Sequence, residues 1–224
     1  LHHSHAGWLE SRWHFSFDTY FAPENMEWGS LRVFNDDIIQ PNSGFPMHPH
    51  DNMEIVTYVI EGSLTHVDSL GNRGTTSSGE VQRMSAGTGI VHAEFNASKK
   101  EPVRLVQMWL HPSKQGLSPS WEQKAFSKNE RLNQLLPVID PEKKGAMKIN
   151  QDATFYISRL EKGKKITHKM KGKYAYVMLL EGEMRVNGNP LSSRDAAKVV
   201  DEKELVFEAN ADTEWVMWEM AKPI

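Results

Sequence analysis

The chain predicts an all-β protein made of two β-barrel, jelly-roll-like domains. Three observations carry that expectation: short apolar segments parted by turn signals about every 8 to 12 residues, weak helical periodicity throughout, and an internal repeat spanning the two halves. In the first half the strand candidates are HFSFDTYF, SLRVFNDDII, EIVTYVI, SLTHVDSL, VQRMSAG and RLVQMWL. In the second they are MKIN, FYISRLE, YAYVMLLEG, EMRVNG, LVFEA and EWVMWEM. Short apolar segments bounded by turn residues are how the strands of a sandwich or barrel read. Residues 121–136 are the best helix candidate. Pro119, Pro137 and Pro141 bracket them, so this stretch reads as a crossover with at most one short helix. The boundary is placed near residue 130, giving domains 1–130 and 131–224.

The repeat rests on Glu61-Gly62 and Glu181-Gly182, 120 residues apart, each following one strand and preceding another. The same offset pairs His48 with His168, but His50 with Met170, Glu94 with Glu214 and His92 with Asp212. Only the first barrel is expected to hold a full set of metal ligands.

Composition narrows the function. With 224 residues and 39% of them hydrophobic, the chain can bury a sizeable core. A net charge of −3 gives no global attraction for nucleic acid or an anionic membrane. Residues 161–173, EKGKKITHKMKGK, hold six lysines against one glutamate. Without arginines or stacking aromatics they read as a solvated sheet edge, not a nucleic-acid footprint. There are no cysteines, so any metal site must use nitrogen and oxygen donors. No run approaches the roughly 20 apolar residues of a membrane helix, and the opening LHHSHAGWLESRW lacks the apolar core of a secretory signal. A cytoplasmic protein is expected. Leu1 suggests that residues precede it, and His2, His3 and His5 are assigned no role.

Two motifs carry chemistry. His48-Pro49-His50 and His92-Ala93-Glu94 each place two possible ligands at i and i+2, which leave a strand on one face. Two such strands side by side would point four donors into one volume. Gly44-Phe45-Pro46 and Ala86-Gly87-Thr88-Gly89 supply turns at the starts of those strands, and Pro49 places its strand at an edge. Three imidazoles and a carboxylate suit iron, manganese, nickel, copper or zinc, and donor type alone does not choose among them. Iron(II) takes six ligands readily and would keep two positions free. Glu54 keeps strand parity with His50 and competes with Glu94 for the carboxylate role. His14, His66 and His111, each alone, read as hydrogen-bonded structural histidines. Phe45, Met47, Met53, Met108 and Trp109 lie near the ligand strands as candidate walls for a flat aromatic ligand. Gln107, polar within LVQMWL, is a candidate to reach the site.

The stretch HPHDNMEIVTYVIEGSLTHVDSLGNRGTTSSGEVQRMSAGTGIVHAEFN resembles the signature of the pirin family within the cupin superfamily. GWLESRWHFSFDTYF and GSLRVFNDD resemble its N-terminal segments. The likeness is dense over residues 7 to 110, and beyond them only the outline of a shorter second cupin barrel remains. The resemblance implies a bicupin whose ligands are His48, His50, His92 and Glu94, leaving Glu54 a supporting role. It implies one divalent metal, iron(II) first, with manganese, nickel, copper, zinc or cobalt as alternatives. Several bacterial pirin-like proteins are quercetin 2,3-dioxygenases, which open the central ring of a flavonol with O2 and release carbon monoxide. For that chemistry Glu94, a metal-facing carboxylate within reach of a bound hydroxyl, would be the catalytic base for the flavonol 3-hydroxyl, with Phe45, Met47, Met53, Gln107 and Met108, placed by strand parity, around the substrate. Other pirins act as transcriptional or metabolic cofactors, so a non-enzymatic, metal-binding or redox-sensing regulator is the alternative. Two barrels in one chain supply the pairing that single-barrel cupins obtain by dimerising, so a monomer is expected.

Overall fold

The computed structural model describes residues 1–221, which form twenty strands and two short 3-10 turns and contain no α-helix. No helix among them is long and apolar enough to cross a membrane. The chain divides into two compact units, the first comprising residues 1–125 with 149–151, the second residues 126–148 and those from 152 on.

The first unit holds β1 (His2–His5), β2 (Leu9–Trp13), β3 (Leu31–Ile39), β4 (Gly44–His50), β5 (Glu54–Glu61), β6 (Ser63–Asp68), β7 (Arg73–Ser77), β8 (Glu80–Ser85), β9 (Ile90–Asn96), β10 (Val103–Leu110) and β11 (Ser120–Ala125). A seven-stranded sheet runs β1-β2-β3-β10-β5-β8-β11 and a four-stranded sheet runs β4-β9-β6-β7. Ile39, Val59, Val103 and Leu105 of the larger sheet close a buried cluster with Leu64 of the smaller one. Apolar side chains of both inner faces thus meet between the sheets, as in a jelly roll.

The second unit repeats the plan with β12 (Leu136–Ile139), β13 (Ala153–Leu160), β14 (Lys165–Lys169), β15 (Tyr174–Glu181), β16 (Glu183–Val186), β17 (Asn189–Ser192), β18 (Ala196–Val200), β19 (Glu204–Ala209) and β20 (Thr213–Met220). Its sheets run β12-β13-β20-β15-β18 and β14-β19-β16-β17. Leu160, Val177, Leu179, Trp215 and Met217 from one sheet pack with Met184, Leu205 and Phe207 from the other. Phe207 stacks on Trp215 with ring centroids 4.0 Å apart.

The repeat is visible in the strands. β5 and β15 are each eight residues long and end on Glu61 and Glu181. Gly62 and Gly182 follow at φ 77 and 93, where a Cβ would stand 2.9 Å from the Pro102 carbonyl and 2.2 Å from that of Asp212. Left-handed backbone and close approach together require glycine at both turns.

Several expectations are corrected. Residues 120–125 are not helical; they pair with β8 in antiparallel register, Trp121 opposite Met84. The turn Asn129–Arg131 is the only helical element of the expected 121–136 stretch. Trp121 packs against the Ile55, Met84, Ala86 and Ile90 cluster, so tertiary burial decides the conformation. HFSFDTYF forms no sheet strand: an isolated Phe17–Tyr20 bridge closes a turn at Asp18, whose φ is 46. MKIN contributes only the isolated Ile139–Met147 bridge.

The register of the repeat also changes. In the first unit His48 pairs with His92 and His66 with Glu94. In the second His168 pairs with Leu205 and Val186 with Phe207. The counterparts of His92 and Glu94 are therefore Leu205 and Phe207, not Asp212 and Glu214. Glu214 lies on β20, the counterpart of β10, because the connection from β16 to β19 is shorter than that from β6 to β9. The ligand positions of the first barrel thus correspond to His168, Met170, Leu205 and Phe207. His168 turns to Glu219, Nε2 to Oε2 at 2.7 Å, and β14 with its lysines lies at a sheet edge.

Candidate metal centre

β4 and β9 bring the two ligand motifs together. β4 is an edge strand, so Pro49, which has no N–H to donate, costs the sheet no ladder bond there. The strands approach closely at Gly44, where a Cβ would lie 2.2 Å from the Glu94 carbonyl oxygen. Between Phe45 and His48 the register slips, with Phe45 opposite Glu94 and His48 opposite His92. This bulge inserts one residue into β4 and reverses its facing. Phe45 and His48, of opposite parity, both reach the same cavity, while Met47 is turned out and 55% exposed.

The imidazoles of His48, His50 and His92 converge. Ring centroids are 4.4 Å apart for His48 and His92, 4.8 Å for His48 and His50, and 4.9 Å for His50 and His92. One ring nitrogen from each lies within 4.8 Å of the others. His48 Nδ1 is 2.7 Å from the Pro46 carbonyl and must donate to it, which leaves Nε2 as the lone-pair nitrogen. Burial, and then repulsion from His48, pushes His50 down to about 4. Burial, and then the neighbouring His48, His50 and His66, pushes His92 down to about 2. Both rings are neutral near pH 7.

Glu94 is 2% exposed and its carboxyl is raised by burial, against the opposing hydrogen bonds and nearby histidines. Its oxygens accept from Gln82 Nε2 at 2.6 Å and Gln107 Nε2 at 2.7 Å. Both amides are oriented by a second contact: Trp109 Nε1 donates to Gln107 Oε1 at 3.1 Å, and Thr76 Oγ1 donates to Gln82 Oε1 at 3.2 Å. The carboxylate lies within 4.8 Å of ring nitrogens of His92 and His66.

A cavity of about 270 Å³ opens onto His48, His50 and Glu94, and is lined besides by Trp13, Phe17, Phe45, Trp109, Asn35, Asp37 and Gln107. His50 meets Trp109 edge to face at 4.9 Å. Asp37 accepts a hydrogen bond from Ser11 Oγ. Burial raises its carboxyl to about 7, with Asp36 and Glu94 adding to the rise and Ser11 opposing it.

Of the residues the sequence offered for the walls, Phe45, Gln107 and Trp109 line the cavity. Met47, Met53 and Met108 do not. Met108 alternates with Gln107 and Trp109 and is fully buried on the opposite face of β10, and Met53 packs beside Ile55 and Met84. Glu54 is also elsewhere, accepting from Ser85 Oγ at 2.6 Å and Asn150 Nδ2 at 2.9 Å. His14 packs on Phe34 and His111 faces Glu27. His66 proves to stand beside the ligand cluster, its Nδ1 3.4 Å from His92 Nδ1. Gln82, Asp37, Asn35 and Trp13 were unmarked in the sequence, since each comes from a strand carrying no motif. The N-terminal histidines form β1, whose Ser4 contributes to the cavity wall.

The donor set fits a first-row divalent cation. His92 Nε2 is buried and has no hydrogen-bond partner, a costly state for a polar atom unless an ion takes its lone pair. Neutral imidazoles and a buried carboxylate are the donors such ions prefer when thiolates are absent.

Paired antiparallel sheets in two repeated units, with a histidine cluster inside the first, define a two-barrel cupin. The family described as Pirin matches residues 2–110, and the quercetinase C-terminal cupin domain matches residues 138–220. A pirin-like protein of Caulobacter vibrioides is 43% identical, over 96% of this chain and 94% of the relative. The quercetin 2,3-dioxygenase of Escherichia coli strain K12 is 38% identical, over 97% of this chain and 94% of the relative. The crystal structure of the bacterial pirin YhhW of E. coli in complex with nickel(II) superposes with a TM-score of 0.93 at 36% identity, covering 100% of this chain and 96% of that one. The chain belongs to the pirin family.

Proposed function

We propose that the chain is a metal-dependent dioxygenase that opens a flavonol such as quercetin with O2. The observation that carries the reading is the aromatic-walled cavity that opens directly onto His48, His50 and Glu94, beside the imidazole cluster. At about 270 Å³ it falls just below the usual range of ligand pockets, which starts at about 300 Å³. One flat, multi-ring ligand would fill it. The name of the E. coli relative supports the substrate class, and the nickel(II) complex of the structural neighbour supports metal binding. Iron(II) is the first candidate on coordination number, with nickel(II) beside it.

His48, His50, His92 and Glu94 would hold the cation. The cation supplies Lewis acidity, making a hydroxyl against it a stronger acid. Glu94 accepts the proton of the flavonol 3-hydroxyl on a carboxylate oxygen. Its raised affinity for a proton, caused by burial, suits a group that must take one and return it. Gln82 and Gln107 hold the carboxylate in place, and Trp109 keeps the Gln107 amide turned towards it. Trp13, Phe17, Phe45 and Trp109 clasp the rings and keep water from the reacting carbon atoms.

The test is oxygen uptake and loss of the flavonol absorbance band with protein loaded in turn with iron, manganese and nickel. Turnover with one of them is expected. Bound metal without turnover in all three would replace the enzyme by a metal-holding regulatory protein using the same residues.

A further inference from the structure

We propose that Asp68 and His66 form a hydrogen-bonded relay that fixes the tautomer of His92 and aims its Nε2 at the cation. This rests on the reading above that His48, His50 and His92 hold one. His66 and Asp68 sit at i and i+2 on β6, and β6 pairs with β9 so that Asp68 stands opposite His92 and His66 opposite Glu94.

The proton positions follow from the acceptor end. Asp68 Oδ1 accepts the N–H groups of Leu70 at 2.9 Å and Asn72 at 3.0 Å, and Oδ2 accepts Asn72 Nδ2 at 3.0 Å. A carboxylate so surrounded only accepts, so His66 Nε2, 2.9 Å from Oδ2, carries a hydrogen. With that hydrogen on Nε2, His66 turns Nδ1 towards His92. Across a gap of 3.4 Å stands His92 Nδ1, and one of the two nitrogens must donate. With His66 the acceptor, His92 carries its hydrogen on Nδ1 and keeps Nε2 bare. Nε2 is the buried atom of His92 that has no partner. The opposite arrangement needs a doubly protonated His66 beside a cation, which like-charge repulsion disfavours. An ion drawing on Nε2 acidifies Nδ1–H and tightens its bond to His66, as charge-assisted hydrogen bonds shorten.

The relay is built rather than incidental. His66 is 1% exposed and stacks on Trp121, ring centroids 5.0 Å apart and planes 10° apart. Gly74, paired opposite His66, makes room for the indole; a Cβ there would lie 2.3 Å from a Trp121 ring carbon. Neighbours that orient ligating histidines this way are worth about 10- to 100-fold in metal affinity.

The experiment measures nickel(II) affinity by chelator competition for the parent chain, Asp68→Asn and His66→Gln. Histidine tautomers are read by long-range ¹H–¹⁵N NMR on metal-free and zinc-loaded parent protein. Folding of the variants is checked by circular dichroism. The expected results are about 10- to 100-fold weaker nickel binding in both variants, and a hydrogen on Nδ1 of His92 in the parent. The NMR measurement needs no substitution, so it decides the matter even if a variant fails to fold. A His92 with its hydrogen on Nε2, or unchanged affinity in both folded variants, overturns the relay. So does loss of nickel in His66→Gln alone, since His66 would then be a ligand itself. A parent chain that takes up no nickel or zinc refutes the metal reading instead.

Discussion

Asp37→Asn isolates the clearest electrostatic burden in the first barrel. Asp37 is 4% exposed, and burial raises its carboxyl from 3.8 to about 7. The folded chain therefore keeps a proton that the unfolded chain releases between those values. Where the folded state binds more protons, stability falls as pH rises. The contribution is intact below about pH 3.8 and fully lost above pH 7. At 1.36 kcal/mol per pH unit the full span is about 4 kcal/mol, of which about 2 to 3 kcal/mol falls between pH 5 and pH 8. Asparagine has nearly the same shape, still accepts from Ser11 and does not titrate. His50 and His92 act in the opposite sense: their lowered values cost metal-free protein stability as pH drops below 6.5. That effect is common to both chains and drops out of their difference. The assay is urea denaturation of chelator-treated parent and variant at pH 5, 6, 7 and 8. The variant should gain about 2 to 3 kcal/mol on the parent from the lowest pH to the highest. A difference that stays flat would show that Asp37 is ionised in the folded state and would refute the reasoning.

Other outcomes are equally specific. Replacing His48 or His92 with alanine should abolish retention of nickel through a desalting column; parent-like occupancy in both would remove the proposed centre. In Gln107→Leu one of the two donors on Glu94 is lost, and turnover of a flavonol should fall about 10-fold or more with metal content unchanged. Steady-state kinetics beside elemental analysis separate the two quantities. Phe207→Ala empties a fully buried position against Trp215 and should cost about 3 to 5 kcal/mol of stability. Nickel binding should persist in that variant, because Phe207 occupies the ligand position of the other barrel; loss of both together would contradict the assignment of the site to the first unit.

Much of the fold was legible because strand patterns are local. EIVTYVIE and YAYVMLLE are continuous apolar runs closed by a Glu-Gly turn, and both form eight-residue strands. The HPH and HAE motifs were legible for the same reason, since i and i+2 share a face of any strand. That rule also applies to His66-Val67-Asp68, whose spacing signals a pair no less clearly. His66 reads as a lone structural histidine because the strand that pairs with it lies far away in the chain.

What the chain determined alone was period, turn chemistry and the presence of donors two residues apart, all properties of neighbours along the backbone. Tertiary structure decided which faces met. The one-residue bulge in β4 turned Phe45 inward and Met47 outward, and no periodicity contains that slip. Burial of Trp121 drew residues 120–125 into the sheet and set an indole against His66. The pairing of β19 with β14 and β16 put Leu205 and Phe207 where the first barrel has His92 and Glu94. Contacts between strands far apart in sequence are fixed by packing and loop length, which local composition does not encode.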